Sequence, residues 1–146
     1  EAGCPAVADP GARAVTIAHS WGITVKPWVG PSSILFGLMA SGLDGQRFVF
    51  HGYAPVDAAE RNRHLKLWEQ SSSKQKQTQL LIETPYRNQA MFNSLIENLK
   101  GNTRLCVARS LTTADEWVRT LTVAQWKSQP KPELDKQPTL FLFQAA

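Results

Sequence analysis

Apolar residues recur with a helical period in the early part of the chain. Val15, Ala18 and Trp21 share one face of a helix that this spacing predicts over 12–21. A second stretch, 34–40, is apolar on all sides. A helix of that kind is expected to be buried, here between domains or between subunits.

The rest of the chain alternates between strand-like and helix-like stretches. Short apolar runs bounded by turn residues predict strands, and longer stretches with one apolar face predict helices. The predicted strands are 48–51, 79–82, 104–108, 116–121 and 139–143, and the predicted helices are 58–70, 85–99 and 123–127. This order predicts an α/β domain with a mixed sheet.

The chain is predicted to contain parts of two domains. Alternating apolar residues over 23–29 predict a strand of the first domain, which is incomplete. The turn after the second helix is the predicted boundary, so that the first domain covers 1–43 and the second α/β domain covers 44–146. The polar stretch 71–77 is predicted to be a mobile connection.

Charge and cysteine content narrow the function classes only modestly. The 146 residues include 16 Lys and Arg against 12 Asp and Glu, a net charge of +4 that permits an anionic substrate without requiring one. Cys4 and Cys106 fit no metal-binding spacing, and free thiols in a reducing cytoplasm are expected. No apolar stretch is long enough to span a bilayer, and no signal peptide is visible.

Two loops rich in small residues and proline lie on either side of the first helix, at 3–11 and 29–33. Such residues let the backbone approach a ligand closely, and Asp9, Ser32 and Ser33 add groups that form hydrogen bonds. The two serines precede the second helix, where N–H groups and hydroxyls suit a carboxylate. The alternative is that Ser32 only caps that helix.

A second group of polar residues follows two strands of the second domain. Glu83, Tyr86 and Arg87 follow one strand, and Arg109 ends another. Ligands of open α/β sheets bind at the carboxyl ends of strands. Both arginines are able to donate to phosphate, and the alternative is internal ion pairs, of Arg87 with Glu83 and of Arg109 with Glu116.

The histidines and tryptophans are assigned mainly to packing. His51 and His64 are predicted to be surface or packing residues rather than bases, and most of the five tryptophans are predicted to lie in the core or at an interface. We find no Ser-His-Asp set and no cluster with metal-ligand spacing, and no catalytic residue is assigned.

Four segments carry a family likeness when they are taken in order. They are Glu1-Ala2-Gly3-Cys4-Pro5 continued by Asp9-Pro10-Gly11, then Val29-Gly30-Pro31-Ser32-Ser33, Glu83-Thr84-Pro85-Tyr86-Arg87, and Ala108-Arg109-Ser110-Leu111-Thr112 followed by Glu116. Together they resemble motifs of the tetrapyrrole (corrin/porphyrin) methylase superfamily. The likeness is greatest to its branch of ribosomal RNA 2′-O-ribose methyltransferases. Tyr86 and Ser110 depart from that branch, which has His and Glu there, and 120–122 follows its Arg-Gly-Thr only loosely.

The resemblance implies an S-adenosylmethionine-dependent methyltransferase that forms a homodimer and acts in the cytoplasm on an RNA ribose. It assigns cofactor contacts to Val7, Ala8, Asp9, Ser32, Ser33, Glu83 and Leu111, in a cleft between the two domains. It assigns acceptor contacts to Tyr86, Arg87 and Arg109, with no metal and no membrane. Two alternatives remain: a methylase of tetrapyrroles or other small molecules, and a binding module that kept the fold without turnover.

The family's chain opens with a strand and a glycine-rich turn before the loop that this sequence begins with. The resemblance therefore predicts that the sequence is a fragment with half of its cofactor cleft. Because binding energy is spread over both walls of a cleft, the fragment alone is expected to bind the cofactor weakly and to be inactive.

Overall fold

A five-stranded mixed sheet forms the centre of the protein, as a computed structural model describes it for residues 3–146. The strands are β1 (Phe48–Tyr53), β2 (Thr78–Ile82), β3 (Arg104–Arg109), β4 (Trp117–Thr122) and β5 (Thr139–Gln144), arranged in the order β1-β2-β5-β3-β4. β1 and β2 are parallel, whereas β5 is antiparallel to β2 and β3, and β3 is antiparallel to β4. The predicted α/β class with a mixed sheet is confirmed.

Helices cover both faces of this sheet. α2 (Ser33–Ser41) covers one face, and α3 (Ala58–Gln75), α4 (Asn88–Asn98) and α5 (Val123–Lys127) cover the other; a 3-10 turn, Pro85–Arg87, precedes α4. The first helix, α1 (Ala12–Ser20), has no buried residue. Successive side chains of β5 point to opposite faces of the sheet and so belong to two different hydrophobic cores. Phe141 and Phe143 belong to the core beneath α3, α4 and α5, and Leu140 and Leu142 belong to the core beneath α2.

Helix α2 packs on the sheet by one side only. Leu38 and Gly37 are buried, and a Cβ at Gly37 would overlap the Leu140 side chain, so the glycine permits this close approach. Leu35 and Met39 are 50% and 79% exposed. The described residues therefore bury one side of this helix, and burial of its other side by another domain or subunit stays a prediction.

Two local predictions fail for a tertiary reason. Residues 23–29 join no sheet, since no strand of the described chain pairs with them, and Val29 is fully exposed. The stretch 71–77, predicted to be mobile, is mostly the last turns of α3. Ser72 is completely buried there, where its Oγ donates to the Gln77 carbonyl and accepts from the Ala145 N–H. These contacts with the end of β5 extend the helix.

Both cysteines are free, and Cys106 lies in β3 beneath α2. Burial raises the pKa of the Cys106 thiol to about 11, so it stays protonated at neutral pH. Across residues 3–146, no helix has the length and apolar character needed to cross a membrane.

Candidate functional site

Strand register brings the predicted polar residues to one edge of the sheet. Ile82, at the end of β2, pairs with Tyr53 at the end of β1 and with Leu140 near the start of β5. Arg109, at the end of β3, pairs with Thr139 at the start of β5. The carboxyl ends of β1, β2 and β3 therefore meet at this edge, which is where ligands of α/β sheets bind.

A cavity of about 240 Å³ opens at this edge, between the sheet and the start of α2. Three of the predicted cofactor residues line it: Ser33, Glu83 and Leu111. The other lining residues are Ile82, Pro85, Ala108, Pro138, Thr139 and Leu140. Its walls are thus mainly apolar, with a few polar groups, as is usual for small-molecule sites.

Two further cavities adjoin the first one. Val7, Ala8, Ser32 and Ser33 help to line a space of about 110 Å³, and Ser33 and Leu111 help to line another of about 390 Å³. Ser33 borders all three cavities. Six of the seven predicted cofactor residues therefore surround one connected region at the start of α2, although only the fold brings the early loops next to β2 and β3.

Ser32 occupies the N-cap position of α2 but does not cap it with its side chain. Its carbonyl accepts from the Phe36 N–H, and its own backbone is extended. The interpretation of Ser32 as a capping side chain is therefore wrong. The first turn of α2 has no side-chain cap, and its N–H groups face no side-chain competitor for an anion.

Asp9 stabilises the loop 3–11 through hydrogen bonds to the backbone of the same loop. Its Oδ1 accepts from the N–H groups of Ala6, at 3.0 Å, and Gly11, at 2.8 Å, and these bonds lower the pKa of the carboxyl group. Ala6 and Ala8 adopt left-handed backbone conformations, with φ of 65° and 55°, which residues other than glycine rarely do. Asp9 lines none of the three cavities, so it acts on them through the loop that presents Val7 and Ala8.

Glu83 is a buried carboxylate at the cavity wall. Its side chain is 1% exposed, and its Oε1 accepts from Arg87 Nη2 and from the Thr84 N–H, both at 2.7 Å. The bond to Glu83 raises the pKa of Arg87. Glu83 Oε2 is buried and has no hydrogen-bond partner within the described residues. The alternative of an internal Arg87–Glu83 ion pair is thus confirmed, and the Arg87 side chain is still 41% exposed.

Arg109 has different partners from those expected. Its Nη1 donates to the Glu133 carbonyl at 3.0 Å, and its guanidinium lies 5.5 Å from the centre of the Trp117 ring. Glu116 instead accepts from the Thr112 N–H at 2.7 Å. The alternative of an Arg109–Glu116 ion pair is therefore wrong.

The chain is similar to known methyltransferases in sequence and in fold. The chain is 33% identical over 118 residues to ribosomal RNA small subunit methyltransferase I of Mycobacterium tuberculosis strain H37Rv, covering 81% of this chain and 40% of that protein. It is 36% identical over 123 residues to the Mesorhizobium japonicum protein of the same name, covering 84% and 40%. The structure matches that of the methyltransferase CobJ with a TM-score of 0.65 and 14% identity, over all of this chain and 63% of CobJ. No protein-family model matches the chain.

The chain therefore shares the fold of a methyltransferase. A second fold neighbour is the uroporphyrin-III C-methyl transferase of Thermus thermophilus, complexed with S-adenyl homocysteine, with a TM-score of 0.51 and 16% identity over 97% of this chain and 62% of that protein. The chain spans about 40% of the length of the curated relatives it matches.

Several residues that line the site were not predicted from the sequence. Thr139 and Pro138 line the main cavity because β5 runs antiparallel to β2 and so begins at the edge of the sheet where this cavity lies. The order of elements along the chain does not reveal that direction. Pro85 and Ala108 were signalled by their motifs, since each belongs to a segment already singled out in the sequence.

The prediction that the histidines serve in packing is confirmed for His51. Its Nε2 lies 2.7 Å from Gln79 Oε1, and its ring stacks on Trp68 with centroids 4.0 Å apart. Burial lowers the pKa of His51. No group of three or more potential metal-ligating side chains occurs between residues 3 and 146.

Proposed function

We propose that this chain is part of an S-adenosylmethionine-dependent methyltransferase that acts on ribosomal RNA at a ribose 2′-hydroxyl. The observation that carries the proposal is the meeting of three cavities at Ser33, bordered by six of the seven residues matched to cofactor positions. The names of the curated relatives support the RNA acceptor. The fold neighbour complexed with S-adenyl homocysteine supports the cofactor.

The residues of the site fit this cofactor. Apolar walls at Ile82, Leu111 and Leu140 suit the planar ring of the cofactor. The first turn of α2, beside Ser32 and Ser33, suits the carboxylate. The bound cofactor supplies a methyl group already activated by a sulfonium, so the residues of this chain bind and align rather than transfer protons.

The acceptor is proposed to approach from the same edge of the sheet. Tyr86 is 77% exposed, and the half-exposed Arg87 guanidinium is close to the cavity wall through its bond to Glu83. Guanidinium groups bind phosphate with a planar fork of donors. Together with Arg109, these residues form the proposed contact to the RNA backbone.

We further propose that residues 1–43 belong to the cofactor domain, that 44–146 form the second domain, and that the protein works as a cytoplasmic homodimer. The support for self-association is a set of exposed apolar side chains, including Trp21 at 74%, Trp28 at 89% and Met39 at 79%. Sedimentation velocity of the full-length protein is expected to give twice the monomer mass, and a monomer at every concentration would contradict the dimer.

The acceptor is tested with the full-length protein and cofactor carrying a labelled methyl group. We expect label in small-subunit ribosomal RNA and none in a uroporphyrinogen substrate. Label in the tetrapyrrole alone would favour the small-molecule alternative. Cofactor binding without transfer to either substrate would favour the binding module.

Arg87→Ala is expected to weaken binding to that RNA and to flatten its salt dependence. Loss of one phosphate contact to a single strand should lower the slope of log affinity against log salt by roughly 0.7. Arg63→Ala is the matched control, since Arg63 also pairs with a glutamate, Glu60, at 2.7 Å but lies on α3. If both variants keep the affinity and slope of the parent, Arg87 serves only its ion pair.

A further inference from the structure

Tyr53 is a large exposed side chain that no sequence motif singled out. It ends β1 and is 63% exposed. The other tyrosine of the chain, Tyr86, is 77% exposed and lies in the 3-10 turn that follows β2. Both tyrosines therefore sit at the carboxyl ends of neighbouring parallel strands, at the same edge as the cavities.

An irregularity in β1 brings Tyr53 to this edge. β1 pairs with β2 in regular register from Phe48 to Phe50, the register then shifts, and Tyr53 pairs with Ile82. Gly52 adopts a left-handed conformation, with φ of +69°, within the shift. Bulges of this kind re-aim the side chains that follow them and are frequent beside active sites. Because Ile82 directly precedes Glu83, the shift sets Tyr53 next to the strand end that carries Glu83 and Arg87.

Arg87 connects the two tyrosines. It follows Tyr86 in the chain, and its Nη2 is held by Glu83 at 2.7 Å. Glu83 directly follows Ile82, the residue of β2 that pairs with Tyr53, so the ion pair holds the Arg87 guanidinium at the strand end beside Tyr53. The two exposed tyrosine rings and the half-exposed Arg87 guanidinium thus lie at the carboxyl ends of the paired strands β1 and β2.

We infer that Tyr53 and Tyr86, together with Arg87, form a stacking site for unpaired bases of the RNA acceptor. Single-stranded RNA offers base faces and phosphates in alternation. Aromatic rings stack on the faces, and arginine binds the phosphates. The net charge of +4 agrees with an anionic occupant. This inference rests on the proposed function and adds Tyr53 as a residue that recognises the RNA conformation.

The test measures binding of the full-length protein to a labelled, unstructured RNA oligonucleotide and to an RNA duplex of equal length, across salt concentrations. Tyr53→Ala and Tyr86→Ala are each expected to weaken single-strand binding about five-fold or more, the loss typical of one stacked base. The salt slope should stay as in the parent, because a neutral ring is removed. Tyr53→Phe keeps the ring and should recover most of the affinity that Tyr53→Ala loses.

Phe48→Ala is the matched control. Phe48 lies at the opposite end of β1 and is 40% exposed, so its loss should leave RNA affinity unchanged. Melting temperatures of all variants separate lost binding from lost folding, and Tyr86→Ala tests the site independently of the β1 bulge.

The outcomes separate this inference from the proposed function. If the parent binds the cofactor but no RNA, the proposed acceptor fails. If the parent methylates RNA and the folded Tyr53→Ala and Tyr86→Ala variants bind the single strand within two-fold of it, the stacking site alone is overturned. If those variants keep their affinity for free RNA but lose affinity for the assembled ribosomal subunit, the rings contact protein, and the inference is likewise overturned.

Discussion

Asp9→Ala is expected to weaken S-adenosylmethionine binding of the full-length protein by roughly ten-fold or more, the range for hydrogen bonds to a charged group. The Asp9 carboxylate accepts two backbone N–H groups, from Ala6 and Gly11. Without it, the N–H groups of Ala6 and Gly11 lose their acceptor, and the loop that borders the Ser32–Ser33 cavity can relax from its left-handed conformations.

Titration calorimetry measures this effect directly. Glu97→Ala is the matched control, since Glu97 is an exposed carboxylate on α4, on the far side of the sheet, with no hydrogen bond or ion pair to another described residue. Asp9→Asn should lose less than Asp9→Ala, because its amide oxygen still accepts one or both N–H groups. Unchanged affinity in Asp9→Ala would mean that the loop keeps its shape without the carboxylate.

The same carboxylate predicts a pH dependence. Its two backbone hydrogen bonds depress the pKa of Asp9 below the usual 3.8. The support that Asp9 gives to the loop is therefore fully present above that value and is lost as the pH falls through the lower pKa of the folded protein. Cofactor affinity should consequently not depend on Asp9 titration near neutral pH.

Trp126→Ala is expected to lower the free energy of unfolding by about 3–5 kcal/mol. The Trp126 side chain is 1% exposed and packs edge-on against Phe92, with centroids 5.4 Å apart. Its Nε1 donates to the Leu105 carbonyl at 2.8 Å and ties α5 to β3. The substitution removes a large buried ring and leaves a cavity between these elements.

Urea unfolding of the same protein measures the loss. Trp126→Phe should cost less than Trp126→Ala, since it keeps most of the packing and loses the hydrogen bond. Leu67→Ala, at a 46% exposed position of α3, should change stability by no more than about 0.5 kcal/mol. A cost below about 1 kcal/mol for Trp126→Ala would show that the core around α5 refills the space.

The contrast between Asp9 and Glu83 shows how much of the candidate site could be predicted from the sequence. Both acidic residues follow from motifs that resemble those of a family. Their different local roles could not be predicted, because they depend on which backbone N–H groups lie within reach: Asp9 binds its own loop, and Glu83 binds the turn after β2. Tyr53 carried no motif, since its position depends on a register shift between two strands.

The sequence by itself determined most helices and strands of residues 44–146, because apolar periodicity reports which face of each element is buried. α5 (Val123–Lys127) matches its predicted bounds, and β1 to β5 lie within three residues of theirs. The order of the motifs also predicted the fold that the chain shares with CobJ. Tertiary structure alone decided the strand order, the antiparallel β5 and the meeting of the early loops with β2 and β3 at Ser33. Those features depend on contacts between residues far apart in the chain, which local periodicity cannot encode; for the same reason 23–29, with no partner strand in the described chain, did not become a strand.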